Sequence, residues 1–151
     1  MIVANVGSGA YNAFLLLHIL AAIVAFAPGF VWPMLTSGLR RAGKSLGPEA
    51  NQVATDFTWK VQGPAAVLAG IFGIGLIGLS DSAWEFSQTW ISIAFILWFV
   101  LLGVVFGLLL PTYRKVAGGD AAAEQRAAMF HGMLHLVLVF MLIVMIWKPG
   151  T

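Results

Sequence analysis

The chain has 151 residues, 60% of them hydrophobic and only 9% charged, with no cysteine and a formal net charge of +2. Soluble domains carry about 25% charged residues, so this composition excludes a water-soluble globule, and the lack of thiols excludes disulfides, iron–sulfur clusters and thiolate chemistry. The basic excess does not point to nucleic acid, because the basic residues stand beside long apolar runs, where membrane topology accounts for them.

Four apolar stretches, at about residues 11–37, 61–80, 89–112 and 127–147, contain no Asp, Glu, Lys or Arg. Each is close to or above the ~20 residues that carry a helix across ~30 Å of hydrocarbon. They predict an all-α fold, a single membrane domain built as a bundle of four transmembrane helices. The first stretch reads as a span and not as a cleavable signal. No Lys or Arg precedes it, it is longer than an ordinary signal core, and basic residues follow it. Within it lie His18, Pro28 and Pro33. Each proline removes an amide donor and frees the carbonyl one turn earlier, at Val24 and Gly29, so a kink near the C-terminal end of this span is expected.

Arg40, Arg41, Lys44 and Lys60 lie in or beside the first loop, and Arg114, Lys115 and Arg126 in the third. The second loop and the N-terminal tail have no basic residue, and the C-terminal tail has Lys148 alone. The positive-inside rule therefore predicts a multi-pass protein of the bacterial cytoplasmic membrane, with both termini outside. Residues 45–60, "SLGPEANQVATDFTWK", predict a short amphipathic helix on the inner surface, with Asp56 and Lys60 one turn apart.

The second span contains "GIGLIG", Gly73 to Gly78, which matches a dinucleotide-binding pattern. That pattern needs a strand, a tight turn and a helix N-terminus in water, whereas these glycines sit inside a lipid-length helix, where small residues serve packing. Ala66 and Gly70 in this span, and Gly103 and Gly107 in the third, have small-xxx-small spacing. They are expected to join spans two and three or to form a face for a second subunit. Trp84, Trp90 and Trp147 mark the outer interface, Trp59 and Tyr113 the inner one, and Asp120 is placed to cap the helix of the fourth span.

That fourth span opens on "MFHGMLH", which holds His131 and His135 one turn apart. With His18, these are the three histidines of the chain, and all lie within spans. An ionisable residue at membrane depth raises a functional question by default. A copper clamp within this helix is disfavoured, since Met129 and Met133 point about 160° away from the histidines at ~100° per residue. Counted from opposite membrane faces, His18 and His135 differ in height by roughly 9 Å, a gap that helix tilt can close. They are thus the candidate axial ligands of a b-type haem held between spans one and four, with His131 as the alternate ligand. The other reading is that all three are neutral histidines bonded across helices. No metal beyond a haem iron is indicated.

"AFLLLHILAAIVAFAPGF", "GPAAVLAGIFGIGLI" and "LLLPTYRKV" resemble small bacterial four-helix membrane proteins of a family classed as a domain of unknown function, the group numbered twenty-two sixty-nine. That family is distantly similar to CopD-type and HemJ-type membrane proteins. The resemblance implies the four-helix membrane fold and His18 as a candidate haem ligand. It does not extend to basic residues within the spans, which this chain lacks. Two functional readings stand together: a small haem-binding redox protein, or a non-catalytic accessory or assembly subunit of a larger membrane complex. Its partners would be the lipid bilayer, and subunits of such a complex or a second copy of the chain; no nucleic acid is expected.

Overall fold

A computed structural model describes residues 6–44 and 47–150, with Ala121 described by its backbone alone. Among the described residues the only regular structure is helical. Four helices carry it: α1, Gly9–Arg41; α2, Pro48–Gly78, and α3, Thr89–Ala117; and α4, Ala121–Trp147. All four are long and apolar enough to span a bilayer. They pack in a ring, α1 on α2, α2 on α3, α3 on α4 and α4 back on α1. Consecutive helices are antiparallel because each link is short.

Side chains such as Met34, Ile96, Phe99 and Phe140 stand exposed around the outside, as they do where the solvent is hydrocarbon. The protein is therefore a multi-pass membrane protein. Its core combines small residues such as Ala25 and Ala66 with Val105 and Leu109, all four without exposed surface. Small residues let helix backbones approach where no hydrophobic driving force separates helix from lipid.

Proline placement shapes α2 and α3. Pro64 and Pro111 fall inside these helices, where a proline ring collides with the carbonyl four residues earlier and cannot bond to it. Each is preceded by a widened π-helical stretch, Thr58–Gln62 and Gly103–Leu109. The Gly63 amide bonds to the Thr58 carbonyl and the Leu110 amide to the Val105 carbonyl, five residues back in each case. The extra residue per turn carries the helix past the proline without ending it. The amphipathic segment expected as a separate surface helix is consequently the first part of α2, Pro48–Phe57. It carries the expected Lys60–Asp56 ion pair at 3.1 Å, while Ser45 and Leu46 lie outside the described residues. α1, by contrast, is one continuous helix of 33 residues through Pro28 and Pro33.

The two ends of the bundle differ. One, here the basic end, carries Arg40, Arg41, Arg114, Lys115 and Arg126, and there the Asp120 carboxylate accepts from the Ala122 and Ala123 amides to start α4. At the opposite, tryptophan end, the Trp84 indole donates to the Tyr11 hydroxyl at 3.1 Å and meets Trp90 edge to face. The Lys148 ammonium lies 3.7 Å from the centroid of Trp84, a cation–π contact that folds the chain's last described residues onto the link between α2 and α3.

Candidate functional site

The small residues of α2 receive aromatic rings. A Cβ built on Gly70 would lie 2.1 Å from Cε2 of Trp98, one on Gly63 2.5 Å from Phe106, and one on Gly75 2.4 Å from Phe14. The Trp98 indole also donates to the Ala66 carbonyl at 2.8 Å. At Ala66 and Gly70, α2 meets the Trp98 side chain of α3. Gly103 and Gly107 do not take part: a Cβ on either meets nothing within 4 Å, and both are exposed on the outer face of α3. The reason is rotational, since α3 turns its Trp98 and Phe106 side chains, not its glycines, towards α2.

His18 belongs to the contact between α1 and α2. Its Nδ1 lies 2.7 Å from the Ala69 carbonyl, and its ring covers Gly73, where a Cβ would sit 3.4 Å away. A carbonyl only accepts, so Nδ1 carries the hydrogen of this bond. His18 is therefore a histidine bonded across helices.

His131 and His135 converge on a different place. His131 is 3% exposed, and its Nε2 shares a short hydrogen bond with the Tyr113 hydroxyl of α3. His135 is half-buried, with its ring tilted against Phe30 at 4.3 Å between centroids. The remaining polar atoms of interest, His131 Nδ1 and His135 Nε2, are both buried and have no hydrogen-bond partner. Both face the same backbone position of α1. A Cβ on Gly29 would lie 3.7 Å from His135 Nε2 and 3.9 Å from His131 Nδ1. Gly29 itself is buried, and any larger residue there would fill the space between the rings and α1.

This geometry separates the residues considered together from the sequence. His135 stands beside Gly29, and His18 lies eleven residues back along the same helix, about 16 Å at the α-helical rise. The height difference of roughly 9 Å is thus an underestimate, because α1 runs past α4 in a register that sets Gly29 beside His135. One iron is a single bond length from each of its axial nitrogens, so His18 and His135 cannot share one in this arrangement. Nor is there room for a porphyrin disc between Gly29 and the two rings that contact it. The residues do not fit a haem held between α1 and α4.

A crevice leads to His131 from the basic end. It runs between α1, α2, α3 and α4, from exposed Arg40 and half-buried Glu124 past Asn51 and Thr36 to Tyr113 and His131. Its volume of about 30 Å³ is room for about one water molecule. A second buried polar group stands nearby on α2: Gln62 donates to the Ala25 carbonyl of α1 at 3.0 Å and accepts from Thr58. Met129 and Met133 face outwards, 58% and 37% exposed, and take no part. Among the described residues no group of three or more His, Cys, Asp or Glu comes together.

Tyr113 and Gln62 are the members of this region that sequence reasoning did not assign to it, and Gly29, expected to leave room on the His18 face of span one, faces His131 and His135. Tyr113 was expected at the interface but is 6% exposed and bonded to His131. The usable signal for Gly29 is its place between Pro28 and Phe30, where a residue without a Cβ lets a neighbouring helix close in. No protein-family model matches the chain, and neither a curated protein nor a solved structure matches it.

Proposed function

We propose that this is a small protein of the bacterial cytoplasmic membrane, basic end inside, whose working part is an imidazole site in the half of the bundle nearer that end. His131 and His135 form the site against Gly29, and it receives a small guest through the Arg40–Glu124 crevice. The carrying observation is the pair of unpartnered buried nitrogens directed at one glycine. Buried polar groups at membrane depth are costly when unpaired, so two of them on one target support a site that is completed by a guest. Tyr113 supports the reading by fixing the ring of His131 through its other nitrogen.

The test is nitrogen NMR of the protein labelled at histidine, in lipid nanodiscs. A guest of any kind at the site gives His131 Nδ1 and His135 Nε2 through-space contact with a species that is not protein. If both nitrogens show only protein contacts, the reading is wrong. An optical spectrum with and without dithionite on the same sample tests the haem reading. The bis-histidine pair is not supported by this geometry, and a Soret band abolished by His18→Ala would instead mark a haem held through the free Nε2 of His18.

A second reading, an accessory subunit or self-association within the membrane, is supported by one observation: Gly103 and Gly107 lie open on the outer face of α3. Substituting both by Leu would then abolish association with a partner or second copy while leaving the monomer folded. Unchanged behaviour in mild detergent would remove this reading.

A further inference from the structure

We infer that the guest between His131, His135 and Gly29 is a single soft transition-metal ion of the copper(I) class, bound by His131 Nδ1 and His135 Nε2; the inference rests on the imidazole site proposed above. The space defines the size. A Cβ at Gly29 would be in ordinary contact distance of both nitrogens, so the two nitrogens border one small space about the size of a methyl group, which suits a single ion better than a large ligand.

The chemistry defines the class. The two donors are neutral nitrogens, and no carboxylate or thiolate joins them: no cluster of three or more such groups exists among the described residues. Calcium and magnesium require cages of oxygen ligands, and structural zinc requires four donors, so none of these suits the site. Burying a doubly charged ion against Leu134 and Phe30, with no anion beside it, is also the costlier electrostatic choice. A monovalent soft ion accepts imidazole donors at low coordination number and carries the smallest charge into an apolar interior. The second shell agrees. The Tyr113 hydroxyl can accept from Nε2–H of His131, and in that tautomer the lone pair lies on Nδ1, facing Gly29. Entry is through the crevice that ends at His131.

The inference is tested with the full chain in nanodiscs, labelled with 15N at histidine and titrated anaerobically with copper(I) kept reduced by ascorbate. The expected result is uptake of one equivalent, with shifts of His131 Nδ1 and His135 Nε2 and no shift of His18. Gly29→Ala puts a methyl group against the place the ion would take and removes no polar group, so it tests occupancy without unmaking the fold; affinity should fall at least tenfold. His135→Ala should abolish the one-equivalent uptake. Uptake that persists in the His131→Ala, His135→Ala double variant, or shifts confined to His18, overturns the inference. If copper(I) causes no shift but both nitrogens show cross-relaxation to water, the guest is water: the imidazole site stands and the metal does not. If neither metal nor water reaches them, both fall.

Discussion

The Trp98 indole reaches across from α3 to donate to the Ala66 carbonyl at 2.8 Å, and the same ring rests on Gly70, which has no side chain to obstruct it. A methyl group at Gly70 would sit 2.1 Å from the ring, so Gly70→Ala must displace the indole and its hydrogen bond together. Overpacking of this kind costs about 1–3 kcal/mol. Gly103→Ala, on the open face of the next helix, should be neutral within about 0.5 kcal/mol. Reversible unfolding in mixed detergent micelles measures both; equal effects would contradict the packing described.

The four spans were legible because a run of about 20 apolar residues without charge has few alternatives to crossing a bilayer. Asp120 as a cap and Asp56–Lys60 as a pair were legible because they are local, within one turn of helix. What the sequence could not supply was the rotation and register of one helix against another. Small-xxx-small spacing is present in both α2 and α3, yet only that of α2 faces its neighbour, because large rings, and not matching glycines, fill the gap. Register likewise decides that His135 meets Gly29 and that His18 meets Gly73. Counting residues from two uncertain span ends cannot resolve a difference of little more than one helical turn. Tyr113 illustrates the same limit: its chemistry suits an interface, and only the ring of helices turns it inward to His131.

Gln62 has no exposed surface and links α2 to the Ala25 carbonyl of α1 while accepting from Thr58. Gln62→Ala leaves the Thr58 hydroxyl without its partner beside a new cavity, and should destabilise the bundle by about 1–3 kcal/mol. Gln62→Met keeps the volume and should cost less than Gln62→Ala. Unfolding midpoints of the two variants check the order; since both lack the amide, a larger loss for Met would show that the thioether chain does not fit the space that Gln62 fills.

The proposed orientation places Lys44 inside and Glu85 outside. The chain has no cysteine, so single cysteines at these two exposed positions report topology without background. In intact spheroplasts a membrane-impermeant maleimide should label Glu85→Cys and spare Lys44→Cys, and permeabilisation should make both reactive. The reverse pattern would put the basic end, and with it the crevice to His131, on the outside.

Tyr113→Phe separates a structural from an orienting role for the hydroxyl. The ring and its packing remain, but His131 Nε2 loses its partner and becomes an additional unpaired nitrogen in a buried site. An unsatisfied buried group costs about 1–3 kcal/mol, so some loss of stability is expected whatever the site does. The diagnostic readout is therefore the tautomer. With Tyr113 present, the hydrogen bond ties one state of Nε2 to the opposite state of Nδ1, and Nδ1 faces Gly29. Without it, nothing on the α3 side selects between the two neutral forms. Nitrogen shifts of His131 should then move from values of a single tautomer towards the average of two, while those of His18, held by the Ala69 carbonyl, stay fixed. A single unchanged His131 tautomer in the Tyr113→Phe protein would mean that the hydroxyl only fills space, and that what orients His131 lies on the Gly29 side.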